Sequence, residues 1–326
     1  MTTPLVSIII PVFNRENLVA ETLDSIIFQT YQNWECILVD DGSTDQSEDV
    51  ICRYTQKDNR IRLYSRPETL PKGANTCRNY GYQKAKGKFV LWFDSDDVML
   101  ENLIEHHLEL FDTKIQLTIC GYYNVNSNLE DRKPIIMNPQ NSLLKDFLTG
   151  RIPMITGSVL FRKSFIENNN QPFDPILRRG QEADFFMQNF KNVKSDEFRV
   201  DETPLFLYRF HAGSKTGKAQ KYISEYAQSR LIVFSKLYKT AKSMKDANLQ
   251  KYAYWAVMLT LVKSVRDRDS SIYKTFKEYF LRNNPDFNQR MKQEFSFFYR
   301  CMFFTKKTPK FIEKRWLDFV PGDRKI

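Results

Sequence analysis

Short apolar runs alternate with helical patterns through the first hundred residues, and this alternation is the feature that most limits the folds open to the chain. The predicted strands are 5-LVSIII-10, 34-WECILVD-40, 61-IRLYSR-66 and 88-KFVLWFD-94. Predicted helices separate them, over 17–29, 45–56 and 73–85. Strands connected by helices of about a dozen residues form βαβ units. The sequence therefore predicts an α/β fold with a mainly parallel, twisted sheet flanked by helices.

The pattern changes near residue 218. Beyond it, predicted helices over 222–241 and 249–265 carry Lys and Arg between aromatic residues. Residues 1–218 contain 26 Lys+Arg and 29 Asp+Glu, a net −3, which leaves 23 of the 49 basic and 10 of the 39 acidic residues, a net +13, for 219–326. We predict an α/β domain over 1–218 and a basic, aromatic-rich helical C-terminal domain over 219–326, with a surface for an anionic partner.

The segment 295-FSFFYRCMFFTKKTPKFIEKRW-316 interleaves aromatic residues with Lys and Arg. This composition is typical of an interfacial helix that inserts aromatic side chains at the headgroup boundary and directs cations toward anionic lipid. It is equally typical of a helix packed on a core with a solvated basic face. Nucleic-acid-binding proteins also combine basic and aromatic residues. The chain carries no recognised nucleic-acid-binding motif, however, so no nucleic acid partner is expected.

Cysteine usage and the N-terminus indicate the compartment. The five cysteines are scattered, odd in number and never arranged as C-x-x-C, which is typical of reduced thiols in the cytoplasm. The N-terminus, MTTPLVSIIIPVFN, has no basic region, and its apolar run is too short for a signal peptide. No stretch approaches the ~18 apolar residues of a membrane span. We expect a cytoplasmic protein, soluble or peripheral on the inner face of the cytoplasmic membrane.

Three carboxylates follow the fourth predicted strand in 89-FVLWFDSDDVM-99. Asp97 suits the N-cap of a predicted helix over 98–111. Asp94 and Asp96 are then left as two like charges at a strand end, where α/β sheets bind their ligands. Such a pair fits Mg²⁺ or Mn²⁺ with a substrate diphosphate, because these ions take oxygen ligands and neutralise a leaving phosphate. The alternative is surface charge plus a helix cap.

The loop 40-DDGSTD-45 follows the second predicted strand at the same edge of the sheet. A turn explains part of it, with Gly42 at positive φ and Asp45 near the cap of the next helix. Two acids before the glycine exceed what a turn needs. A carboxylate at a strand end can bind a nucleotide base or ribose hydroxyls, so this loop is a candidate nucleotide contact.

Several motifs occur together in an order that is similar to that of a known enzyme family. They are 7-SIIIPVFNRE-16, 38-LVDDGSTD-45, 73-GANTCRNYG-81, 87-GKFVLWFDSDD-97 and 180-GQEADFFMQ-188. Over about residues 1–215 the chain resembles the family 2 glycosyltransferases, inverting enzymes of the GT-A fold. The resemblance implies transfer of a sugar from a nucleotide-sugar donor, a UDP-sugar, to a glycan or lipid-linked acceptor. It also implies a role in assembling a bacterial-type surface polysaccharide or lipopolysaccharide.

The resemblance further implies roles for single residues. In the donor site, Asp41 is expected to contact the nucleotide base, Pro11 to lie beside that base, and Arg78 to lie near the nucleotide. Asp96 is implied as the principal ligand of Mn²⁺ or Mg²⁺. Asp94 is implied to face the ribose and diphosphate.

The general base is expected at the start of a helix near residue 181. In the family it usually comes from a Glu-Asp pair, and here the pair reads Gln181-Glu182. Glu182 stands at the second acidic position, and an amide replaces the first acid. Asp184 is the second candidate, although two positions along a helix it points elsewhere. The alternative is that these acids simply favour a helix N-terminus through its dipole.

A basic segment, 211-HAGSKT-216, follows the predicted strand 205–210. His211 is a candidate for a further metal ligand or a diphosphate contact, and Lys215 for neutralising phosphate charge. A lone His in a loop is more often incidental.

The sequence alone is compatible with two other functions. A nucleotidyltransferase shares the nucleotide-binding sheet and the metal, but it would carry a Gly-rich basic loop after the first strand, where this chain has PVFNRE. A non-catalytic sugar-nucleotide or membrane-binding module would not need intact candidate carboxylates, and hydrolysis of the donor would distinguish it from an enzyme.

Overall fold

The computed structural model describes residues 3–140, 142–169, 172–210, 222–282, 284–305 and 309–318. The chain divides into two units. The first comprises Met1–Pro175 and Phe185–Lys218, and the second comprises Ile176–Asp184 and Ala219–Ile326. The short segment Ile176–Asp184, which the sequence analysis assigned to the first domain, thus groups with the C-terminal helices.

Within the described residues, nine strands of the first unit form one sheet. The strands are β1 Val6–Val12, β2 Trp34–Asp40, β3 Ile61–Ser65, β4 Phe89–Trp92, β5 Val98–Met99, β6 Leu117–Val125, β7 Lys133–Ile135, β8 Val159–Arg162 and β9 Phe198–Arg209. Their order is β3-β2-β1-β4-β8-β6-β9-β5, with β7 paired to β6. The four strands from β3 to β4 are parallel, whereas β8 is antiparallel to both β4 and β6. The predicted α/β class is confirmed, and the sheet is mixed beyond β4.

Helices connect the strands. They are α1 Val19–Ile27, α2 Ser47–Lys57, α3 Ala74–Lys84, α4 Leu103–Glu109, α5 Leu143–Leu148, α6 Lys163–Asn169 and α7 Gln181–Asn189. The β1 and β2 strands are buried along almost their whole length, as expected for parallel strands covered on both faces. Helix α3 packs on both strands, and Gly81 permits the close approach, since a Cβ there would lie 2.5 Å from Ile9 Cγ2.

Aromatic side chains fill the core beside β4. The Trp92 ring lies 5.2 Å from the ring of Phe185 and 5.4 Å from that of Phe173, and these two phenylalanines stack at 3.9 Å. Such aromatic pairs contribute about 0.5–1.5 kcal/mol each beyond the area they bury. The end of β4 is therefore anchored in the core immediately before the acidic loop begins.

The second unit is helical. Its elements are α8 Ser224–Ser243, α9 Ala247–Arg266, α10 Ser271–Thr275, a π-helical turn Phe276–Leu281, α11 Gln289–Thr305 and α12 Lys310–Asp318. Tyr238, Tyr254 and Phe280 are buried among these elements, and Asp246 caps α9 by accepting the Leu249 N–H at 3.0 Å. No helix within the described ranges combines the length and the apolar character needed to cross a membrane.

One prediction from the sequence is wrong. The helix expected over 98–111 does not begin at Asp97, because Val98–Met99 form β5 and α4 begins only at Leu103. The Asp97 carboxylate accepts the Arg209 backbone N–H at 3.0 Å. Val98 and Met99 pair with β9 instead of starting the helix. Tertiary pairing thus overrides the local helical pattern, and Asp97 bonds the backbone of Arg209 rather than capping a helix.

Candidate active site

The candidate site lies at the carboxyl ends of the parallel strands. Val12 of β1 is in register with Asp40 of β2, and Asp40 is in register with Ser65 of β3. On the other side, Ile9 of β1 pairs with Trp92 of β4. The segments that follow these strands therefore leave the sheet at one edge, which is where open α/β sheets bind ligands.

The two acids of the β2 loop have different tasks. Asp40 Oδ2 accepts the backbone N–H groups of Gly42 and Ser43, both at 2.9 Å, and Gly42 has a φ of +80°. Asp40 therefore builds the turn, and the positive φ predicted for Gly42 is confirmed. Asp41 takes no part in these two turn-forming bonds, so its carboxylate is assigned to the candidate site.

Asp41 is held rigidly at the sheet edge. Its Oδ1 accepts Arg66 Nε at 2.6 Å and the Gly73 backbone N–H at 3.0 Å. Both Asp41 and Arg66 are largely buried. Sequence reasoning missed Arg66, although a cation directly after β3, at the same edge as the acidic loops, was a usable signal.

Arg78 and Asp94 are brought together across the site. Arg78 lies in α3 and is buried, and its Nη2 donates to Asp94 Oδ1 at 2.7 Å. The guanidinium also lies 5.3 Å from the centre of the Phe173 ring. A buried cation aimed at a partly exposed carboxylate fixes the direction of that carboxylate.

The acidic loop after β4 gathers three carboxylates. Asp94, Asp96 and Asp97 each offer an oxygen, and these oxygens lie within 4.8 Å of one another. Burial raises the pKa of Asp97 well above its ordinary value, and the charges of Asp96 and Asp94 add to this shift. Asp94 and Asp96 are partly exposed. An all-oxygen set of this kind suits a hard divalent cation such as Mg²⁺ or Mn²⁺.

Two further side chains of the β1 loop border the acidic cluster and the β2 loop. Arg15 Nη2 lies 3.2 Å from Asp96 Oδ2. Phe13 is 41% exposed, and Lys72 Nζ lies 4.3 Å from the centre of its ring. Sequence reasoning singled out neither side chain, although both lie within the motif 7–16. Pro11, which it did single out, is a partly exposed residue of β1 in register with Val39.

The two candidate bases open α7 in the second unit. Glu182 is partly exposed, whereas Asp184 is buried and its Oδ2 accepts Lys236 Nζ of α8 at 2.9 Å. Gln181 is buried, and its Nε2 donates to the Leu177 carbonyl at 3.3 Å. An ionised carboxylate could not make that bond, which gives a physical reason for the amide at this position. The assignment of the base stays a prediction.

His211 and Lys215 lie outside the described residues, so the predictions for both stay predictions.

The fold is an α/β fold of the GT-A type. The crystal structure of S. aureus TarS 1–349 in complex with UDP-GlcNAc superposes with a TM-score of 0.55 at 17% identity, covering 95% of this chain and 83% of that one. The mannosyltransferase PcManGT from Pyrobaculum calidifontis, in complex with GDP-Man and Mn²⁺, gives a TM-score of 0.52 at 17% identity, with 94% and 89% covered.

Sequence similarity specifies the family. A family model described as Glycosyl transferase family 2 matches residues 7–168. An uncharacterized glycosyltransferase of Rickettsia prowazekii (strain Madrid E) is 32% identical over 232 residues, which cover 69% of this chain and 70% of that protein. The chain belongs to the family 2 glycosyltransferases.

Proposed function

We propose that the chain is an inverting, metal-dependent glycosyltransferase that moves a sugar from a nucleotide-sugar donor, a UDP-sugar, to an acceptor hydroxyl. The observation that carries the proposal is the convergence of Asp41, Arg78, Asp94 and Asp96 on one edge of the sheet. The nucleotide-sugars bound by TarS and PcManGT support the donor class.

The donor nucleotide is assigned to the edge formed by β1, β2 and α3. Asp41 has a fixed carboxylate that can accept N–H groups of the base, and Pro11 lies on the neighbouring strand. The exposed ring of Phe13 offers a face on which a base can stack. Arg78 supplies a buried positive charge beside the position expected for the ribose and diphosphate.

Asp96 and Asp94 are assigned to a divalent cation, Mn²⁺ or Mg²⁺. Their oxygens are close together and partly exposed, so the donor set fits such an ion. When bound, the ion would neutralise the negative charge that develops on the leaving diphosphate. Asp97 is buried and accepts the Arg209 backbone N–H, so its role is to hold the loop.

Glu182 is assigned as the general base. In a direct displacement, the acceptor oxygen bonds the anomeric carbon as the bond to the diphosphate oxygen breaks, and the hydroxyl proton passes to a carboxylate. The ion pair of Asp184 with Lys236 supports Glu182 over Asp184, because the Asp184 side chain is buried, whereas Glu182 is partly exposed and can meet an acceptor hydroxyl. Asp184 stays the second candidate.

The acceptor is assigned to glycans or lipid-linked glycans of a bacterial-type surface polysaccharide, with the enzyme peripheral on the cytoplasmic membrane surface. On α11, Phe297 is 63% exposed and Phe304 is 89% exposed. Seven residues place them on one helix face, about two turns apart. The net charge of +13 over 219–326 favours anionic lipid. Other aromatic residues of the same segment, Phe295 and Trp316, are buried and serve the core.

Flotation of the full chain with anionic liposomes tests the membrane assignment. Phe297→Ser combined with Phe304→Ser is expected to abolish flotation. Phe28→Ser, which removes a side chain of the first unit that is 71% exposed, is the matched control and is expected to float like the wild type. A double variant that floats as well as the wild type would remove the assignment.

Calorimetric binding of UDP, with and without Mn²⁺, tests the donor and metal sites. Binding that requires Mn²⁺, vanishes in Asp96→Ala and persists in Asp196→Ala, an exposed control acid, is the expected result. Binding indifferent to both Mn²⁺ and Asp96→Ala would contradict the metal assignment. If UDP does not bind, GDP-, dTDP- and CMP-linked donors are next. Hydrolysis of a bound donor distinguishes an enzyme from a non-catalytic module.

A further inference from the structure

Arg209, the last residue of β9, carries a guanidinium that is almost fully buried, with the residue 4% exposed. Burying a cation is costly unless its donors are bonded. Each nitrogen of this guanidinium reaches a different segment of the first unit. Nε donates to the Asp96 carbonyl at 3.0 Å, Nη1 donates to the Ser127 carbonyl at 3.0 Å, and Nη2 pairs with the Glu21 carboxylate of α1.

The backbone of Arg209 adds a second connection to the acidic loop. Its N–H donates to Asp97 Oδ1 at 3.0 Å. From the other side, the Thr22 hydroxyl of α1 donates to the Asp97 carbonyl at 2.8 Å. Within the loop, the Asp97 N–H reaches the Asp94 carbonyl only at 3.4 Å. Bonds from β9 and α1 therefore hold the loop at Asp96 and Asp97.

The charge of Arg209 also matters to the loop. Three carboxylates whose oxygens lie within 4.8 Å repel one another. The Arg209 guanidinium is a buried positive charge bonded to the backbone of this loop. The loop thus keeps a permanent internal counter-charge.

We propose that Arg209 is a positioning residue that fixes the Asp96 backbone and thereby aims the Asp96 carboxylate at the divalent cation, whereas Arg78 directs the Asp94 carboxylate. This inference rests on the proposed function, because it takes Asp96 as a ligand of that cation. Arg209 contacts neither substrate nor cation in this role. A lysine could keep the charge, but a single ammonium group cannot reach all three segments.

The test compares Arg209→Lys with Arg162→Lys in the full chain. Arg162 is a matched control, since it ends β8 and also donates to two backbone carbonyls, those of Ile115 at 3.1 Å and Asp112 at 2.8 Å. Arg162 is in register with Phe89, the first residue of β4, whereas the acidic loop follows the last residue of that strand. Two quantities are measured: amide hydrogen exchange over 93–98 in metal-free protein, and Mn²⁺ affinity by electron paramagnetic resonance.

Arg209→Lys is expected to accelerate exchange over 93–98 and to weaken Mn²⁺ binding about 10–100-fold, the loss typical of residues that orient metal ligands. Arg162→Lys is expected to change neither. If Arg209→Lys does not fold, Glu21→Gln takes its place; it removes one anchor of the guanidinium and is expected to shift both quantities in the same direction by a smaller factor.

Wild-type Mn²⁺ affinity or unchanged exchange in folded Arg209→Lys would overturn the proposal. If the wild type binds no Mn²⁺, the metal assignment fails instead, and so does the part of the proposal in which Arg209 orients a metal ligand. The exchange measurement uses metal-free protein, so it still decides whether Arg209 holds the loop.

Discussion

His107 of α4 lies inside the core of the first unit, with 1% of the residue exposed. Burial lowers its pKa from 6.5 to about 3. Nδ1 lies 2.8 Å from Thr118 Oγ1, and among the described residues Nε2 has no hydrogen-bond partner. A proton on this ring would place a cation in apolar surroundings. The folded protein therefore keeps His107 neutral well below pH 6.

The unfolded chain has no such constraint, so it takes up a proton as the pH falls through 6.5 while the folded chain does not. The stability that neutral His107 allows is fully present above pH 6.5 and is lost progressively as the pH falls toward 3. Between pH 7 and pH 5, this single group lowers the free energy of unfolding by roughly 2 kcal/mol.

Urea unfolding at pH 7, 6 and 5 measures this contribution in the wild type and in His107→Gln. Glutamine does not titrate, and its amide can still bond the Thr118 hydroxyl. The wild type is expected to lose about 2 kcal/mol more than the variant between pH 7 and pH 5, whatever the two stabilities are at pH 7. Parallel losses in the two proteins would refute the reasoning, because they would mean that His107 takes up its proton in the folded state.

Three further substitutions test separate features. Gly81→Ala is expected to destabilise by about 1–3 kcal/mol in urea unfolding, because overpacking against Ile9 outweighs the gain in helix propensity. In an Ile9→Ala background the cost of Gly81→Ala should be smaller, and a stabilised Gly81→Ala would contradict the packing. Lys236→Met is expected to lower the free energy of unfolding by about 3 kcal/mol, since it leaves Asp184 buried without its ammonium partner. Adding Asp184→Leu should recover most of that loss, and no recovery would argue against a structural role for the pair. Phe13→Ala is expected to weaken UDP binding by about 1–3 kcal/mol in calorimetry, with Phe28→Ala unchanged as the control; equal weakening in both variants would remove the stacking role.

The sequence by itself determined the parallel half of the sheet and the position of the candidate site. Apolar runs and helical spacing are local signals, and a strand buried on both faces has to be apolar along its length. The structure accordingly has β1, β2, β3 and β4 where the sequence predicts strands. Polar residues that follow parallel strands must meet at one edge. Gly42 belongs to the same class of local signal, because a positive φ selects for glycine.

Only the tertiary structure decided which partner each charged group has. Arg209 and Asp97 are 112 positions apart, and no local pattern connects them. The same holds for Arg66 with Asp41 and for Lys236 with Asp184. The sequence pattern favoured a helix over all of 98–111, yet α4 begins only at Leu103. Val98–Met99 form β5 instead, because pairing with β9 supplies backbone bonds that the local sequence cannot specify. Local chemistry places the acids at the sheet edge, whereas long-range packing determines which of them are held by cations inside the protein.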